Sequence, residues 1–125
     1  MTSEATDARP TLESIVREYL EAFGARDLEH CVSFYAPDAT LAFHNSHYSG
    51  LSQIETWHRE RFAADLRMLR LDGITAKEDT VTVLAVATSN RLKAWKISSI
   101  NGVITATFAG SKIKNVQFDV KMTPW

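Results

Sequence analysis

One cysteine, three prolines and five glycines are all that this 125-residue sequence holds of the residues that staple or punctuate a chain. A single thiol, Cys31, forms no intramolecular disulfide and founds no cysteine-rich metal site, which fits a reducing compartment. Excess charge is also missing: 14 basic residues stand against 15 acidic ones, a net charge of -1. Counterion-driven binding to nucleic acid or to an anionic membrane therefore has no footing, and a small neutral molecule is the easier partner. No run approaches the roughly 18 apolar residues of a membrane span, and the polar opening MTSEATDARP lacks the apolar stretch of a secretory signal. The expectation is a cytoplasmic protein, neither exported nor membrane-bound.

What is present is an apolar fraction of 45% against 23% charged residues, ordinary for a folded domain. A chain of this length buries roughly two-thirds of its unfolded surface in one core. Residues 11–125 are expected to form a single domain behind a flexible tail, residues 1–10, which carries no hydrophobic periodicity.

Leu12, Ile15, Val16, Tyr19, Leu20 and Phe23 recur at helical spacing, with Thr11 as cap and Gly24 as stop. A second helix runs from Asp27 through Tyr35, ended by Pro37. Ala39 to His44 reads as a strand and Asn45 to Gly50 as a loop. A third helix spans Leu51 to Ala64, with Ile54, Trp57, His58, Arg61 and Phe62 on one side. Beyond Asp65 the period becomes two, which predicts four strands: Leu66 to Ala76, Thr80 to Asn90, Lys93 to Phe108 with a kink near Asn101, and Lys112 to Met122. Gly110-Ser111 supplies a tight hairpin between the last two. Helices followed by a run of strands, without βαβ alternation, is an α+β pattern with a mainly antiparallel sheet bent around the helices.

The stretch Ala25-Arg26-Asp27-Leu28 through Phe34-Tyr35-Ala36-Pro37-Asp38-Ala39-Thr40, the glycine and Ile54 of the third helix, and Gly110-Ser111-Lys112-Ile113 together resemble the nuclear transport factor 2-like superfamily. The likeness is to its ketosteroid isomerase and SnoaL-like polyketide cyclase branch, and it covers about Leu12 to Val120. It implies a cone-shaped barrel in which three helices close a bent sheet around a ligand cavity, and a homodimer formed through the sheet. It also implies chemistry without a cofactor, since members that cyclise, dehydrate or open epoxides use none. The sequence agrees, lacking a phosphate-binding glycine loop, a nucleophile elbow and an HExxH pattern.

By the same resemblance Tyr19 falls on the oxyanion-hole tyrosine of the isomerases, and Tyr35 and His58 fall on positions that hold its hydrogen-bonded partners. The isomerase's base aligns with Phe43 and its second oxyanion-hole acid with Val103 or Ile104, so both carboxylates are missing and ketosteroid isomerisation is not expected. The candidate catalytic group is thus Tyr19, His58 and Tyr35, with His58 as acid or base; its alternative is a satisfied core histidine. Phe23, Phe43, Trp57, Arg61, Phe62 and Trp95 are candidate ligand-binding residues, or else packing. His44 and His47 have a two-residue spacing but no third or fourth ligand beside them, and no metal site is expected. Two functions stay open: an isomerase, cyclase or lyase acting on a small apolar molecule, and a non-catalytic binding or interaction module.

Overall fold

A computed structural model describes residues 11–43 and 45–121. The expected tail, His44 and the end of the last predicted strand at Met122 lie outside the described residues. In chain order the elements are α1 (Leu12–Gly24), α2 (Leu28–Ser33), β1 (Tyr35–Phe43), β2 (Ser46–Ser49), α3 (Gly50–Ala63), β3 (Arg67–Lys77), β4 (Thr80–Thr88), α4 (Asn90–Ala94), β5 (Ile100–Ala109) and β6 (Lys112–Lys121). The strands form one sheet in the order β2-β1-β6-β5-β4-β3. Its pairings are antiparallel except β1 with β6, which run parallel. The sheet is open, with β2 and β3 as edges, where the resemblance implied a barrel.

Four predicted boundaries are corrected, each for a local reason. The second helix stops at Ser33 and β1 starts at Tyr35, because Pro37 disfavours helical backbone at Ala36 and the chain extends ahead of it. The expected loop at Asn45 to Gly50 contains β2, an edge strand whose polar residues need only the backbone bonds of β1. The strand expected from Lys93 begins only at Ile100. Before it, the Ser89 hydroxyl accepts the Leu92 N–H at 3.3 Å, and the helix formers that follow make α4.

The fourth correction concerns how α1 ends. Thr11 caps it as expected, accepting the Ser14 N–H at 3.1 Å. Gly24, however, is the last helical residue and not the stop. The chain turns at Arg26, at φ 57°, and the Asp27 N–H donates to the Ala22 carbonyl at 3.0 Å. Asp65, at φ 56°, ends α3 the same way, with Leu66 N–H donating to the Arg61 carbonyl at 3.0 Å. This left-handed ending usually takes glycine. Here the two residues that occupy it, Arg26 and Asp65, form an ion pair with each other.

Directly paired residues share a face of a sheet, so register gives the layers of the core. One row runs Leu41, Val116, Ala106, Val81, all buried. The next runs Phe43, Phe118, Ile104, Val83, Ile74, of which only Val83 is buried and the others are partly covered. Cover thus thins towards one end of the helix-lined face. That end lies beneath the C-terminal half of α3.

Gly110 sits at φ 65° ahead of Ser111 in the β5–β6 hairpin, the glycine-first pattern of a type II′ turn. Gly24 has ordinary helical backbone and open space where a Cβ would go. Alanine should therefore have opposite effects at the two sites. Gly24→Ala is expected to raise stability by about 0.5–1 kcal/mol, and Gly110→Ala to lower it by about 1 kcal/mol, read from urea unfolding midpoints.

Candidate functional site

Three elements each send one polar side chain into the same point of the core. Tyr19 comes from the buried stripe of α1, Tyr35 from the first residue of β1 and His58 from α3. Their exposures are 2%, 3% and 0%. The Tyr19 hydroxyl lies 2.8 Å from that of Tyr35 and 2.7 Å from His58 Nε2, while His58 Nδ1 lies 2.8 Å from the Ile54 carbonyl. The candidate catalytic residues are therefore brought together.

The direction of each bond follows from what each atom is able to do. A carbonyl only accepts, so Nδ1 carries the hydrogen. Burial pushes the His58 pKa down to about 4, against a small upward pull from the Ile54 carbonyl, so the ring is neutral at pH 7 and Nε2 holds a lone pair. Tyr19 must then donate to Nε2, and its oxygen accepts from Tyr35. Burial raises both tyrosine pKa values, so neither hydroxyl ionises. All the hydrogens of the chain are committed within it. Tyr19 offers a ligand no proton, which differs from the oxyanion-hole role implied by the resemblance.

Rings enclose this chain. Phe34 packs edge-on to Tyr19 at 5.8 Å, Trp57 lies 4.9 Å from His58, and Phe23 lies 5.1 Å from Phe62 and 5.8 Å from His58. The deep pocket expected around Tyr19 and His58 is, among the described residues, occupied by side chains. Two shallow surface grooves lie elsewhere, one lined by Leu20, Met68 and Leu71, the other by Thr40, Ala42 and Asn115 with His47. Among the described residues no group of three or more His, Cys, Asp or Glu side chains is placed to hold a metal.

Of the candidate ligand residues, Phe43, Trp57 and Arg61 gather where the core thins, whereas Phe62 packs against Phe23 and His58. Trp57, fully buried, lies 5.7 Å from Phe43 and 4.6 Å from Phe118, tilted 30° from the latter. The guanidinium of Arg61 sits 4.9 Å from the Phe43 ring centre and 5.7 Å from that of Trp57. Trp57 Nε1 and Arg61 Nε are buried and have no hydrogen-bond partner among the described residues. Trp95 does not join them: it follows α4 and is 64% exposed, because the strand expected to carry it inward does not form there. Phe118 and Ile104 were missed. The alternation of β6 marked Phe118 as inward-facing, but nothing local said that it would meet Trp57. Register places Ile104, and not Val103, on the row facing α3.

Removing the Tyr19 hydroxyl strands both Tyr35 and His58, whereas removing that of Tyr35 leaves the Tyr19–His58 bond intact. Tyr19→Phe is expected to lose about 1–3 kcal/mol in urea unfolding, and Tyr35→Phe less. An unfolded histidine titrates near 6.5, so between there and about pH 4 the unfolded chain binds a proton that the folded one refuses. The contribution is full above pH 6.5 and is lost as pH falls through 4, on the order of 3 kcal/mol in all. The stability advantage over His58→Gln should accordingly shrink when urea unfolding is repeated from pH 7 down to pH 4.

Solved structures share this architecture. A proposed polyketide cyclase from Sinorhizobium meliloti superposes with a TM-score of 0.75 at 19% identity, covering 94% of this chain and 100% of that one. A nuclear transport factor 2-like protein of unknown function from Burkholderia pseudomallei K96243 gives 0.76 at 17%, covering 91% and 93%. A protein of ketosteroid isomerase-like fold from Catenulispora acidiphila DSM 44928, in complex with trimethylamine, gives 0.71 at 18%, covering 87% and 86%. At these identities the likeness shows the fold, the cone of the nuclear transport factor 2-like superfamily. No curated protein matches the chain in sequence. The SnoaL-like domain model matches residues 16–116, most of the chain, and the protein belongs to that family.

Proposed function

We propose that the protein binds a small, mostly apolar molecule at the thinly covered end of the cone, and that Tyr19, Tyr35 and His58 support this site without acting as catalysts. The observation that carries this reading is the indole N–H of Trp57, fully buried and without an acceptor among the described residues, beside the partly covered Phe43 and Phe118. An orphaned donor in a low-dielectric interior costs about 1–3 kcal/mol. A ligand with an apolar body and one oxygen offsets that cost and covers the rings at the same time.

The enzymatic reading, an isomerase, cyclase or lyase with Tyr19 and His58 as its working groups, fits the geometry less well. The pair is enclosed on all the sides described by aromatic rings, and its hydrogens are already used. A substrate oxygen at Tyr19 would have to displace Phe23 or Trp57, and would meet an acceptor there instead of a donor.

N-phenyl-1-naphthylamine, a neutral apolar fluorophore, tests the binding reading. One saturable site per chain is expected. Trp57→Phe, which keeps a ring but removes the N–H, should weaken displacement of the fluorophore by 2-acetylnaphthalene, whose ketone oxygen accepts that N–H, about tenfold, and Tyr19→Phe should leave it unchanged. Absence of saturable binding would overturn the reading; equal weakening by Tyr19→Phe would return the triad to the ligand site.

A further inference from the structure

Arg61 follows Trp57 by one helical turn and lies on the same face of α3. Its side chain is only 20% exposed, and its Nε is buried with no hydrogen-bond partner among the described residues. Among the described residues the one carboxylate within 4 Å of the guanidinium is that of Glu60, at 3.8 Å, on a half-exposed neighbour and beyond hydrogen-bonding distance. The charge rests instead on the faces of Phe43 and Trp57, 4.9 and 5.7 Å away. A guanidinium has five donors in a fixed plane, and aromatic faces satisfy its charge but not those hydrogens.

We propose that Arg61 anchors the carboxylate of a planar, aromatic small-molecule acid at the thinly covered end of the cone. The inference rests on the binding reading above and adds the charge and shape of the ligand. A carboxylate matches the fork of the guanidinium with two parallel hydrogen bonds, which a phenol or ketone does not. Partial burial makes the pairing worth more than a surface ion pair, because water screens it less. Planarity follows from the walls: Trp57 and Phe118 lie 4.6 Å apart at 30°, and Phe43 meets Trp57 edge-on, so a flat body extends this stack with little ordering cost. Among the described residues no acid other than Glu60 lies within ion-pair distance of Arg61, so none of them but Glu60 opposes the ligand's charge there.

The probes are 2-naphthoate and its neutral isostere 2-naphthamide, titrated calorimetrically at pH 7. The wild-type protein should bind the acid at least about tenfold more tightly than the amide. Arg61→Gln should abolish that preference while holding amide affinity within about twofold, and Arg61→Lys, which keeps the charge but not the fork, should retain part of it. Circular dichroism melting of both variants separates loss of binding from loss of fold, and Arg61→Lys preserves the test if the glutamine variant does not fold. Equal affinity for acid and amide in the wild type, with N-phenyl-1-naphthylamine still bound, would overturn the carboxylate assignment and leave the binding reading standing. Binding of none of the three probes would overturn both. A preference for the acid that survives in Arg61→Gln would place the anion elsewhere.

Discussion

Three polar side chains enter an aromatic core only if each finds a partner there, and in this protein that requirement fixes how α1, β1 and α3 meet. Tyr19 holds the centre, with Tyr35 and His58 on either side at 2.8 and 2.7 Å. The Ile54 carbonyl, by taking the hydrogen of Nδ1, sets the direction of both bonds. A shift of one helix by even an ångström strands at least one of these groups in a medium where an unpaired donor is costly. The same chain explains why the cone closes around Tyr19: rings pack against a neutral, satisfied cluster in a way they do not pack against a charged one.

Closure of the floor gives the other end its character. Phe23 and Phe34 pack against the central chain, whereas the second row of the sheet, Phe43, Phe118 and Ile104, is only partly covered. Two donors of α3 arrive there without acceptors among the described residues. The polar groups of this cone thus divide into two kinds, a deep set that is internally complete and a shallow set that is not. A ligand completes the second kind; the first serves as a foundation. The α3 helix carries members of both, so its placement matters twice, and the Arg26–Asp65 ion pair between the two left-handed helix endings secures α3 against α1.

Much of this was legible along the chain. The stripe from Leu12 to Phe23 is amphipathic enough to define α1 and to aim Tyr19 inward, and alternation from Val116 to Val120 defines the inner face of β6. The errors fell where a local signal competed with a weaker regional one. Trp95 and its neighbours suggested a strand, but the Ser89 cap and the helix formers behind it governed α4. Gly24 looked like a stop, yet Arg26 and Asp65 took the left-handed positions, a conformation that side chains disfavour, and pair with each other there.

The sequence by itself determined the α+β class and the helical face bearing Trp57, His58 and Arg61, because both depend only on residue type and spacing; the loss of both isomerase carboxylates is what its resemblance to the isomerases implied. Only the tertiary structure decided that Tyr19 donates its hydrogen bond to His58 and that, among the described residues, rings pack around that pair. It alone decided that Ile104 rather than Val103 faces α3, and that Trp57 and Arg61 keep donors unmet among the described residues. Those properties depend on which atoms from distant segments lie within about 3 Å of one another, and spacing along a chain does not fix such distances.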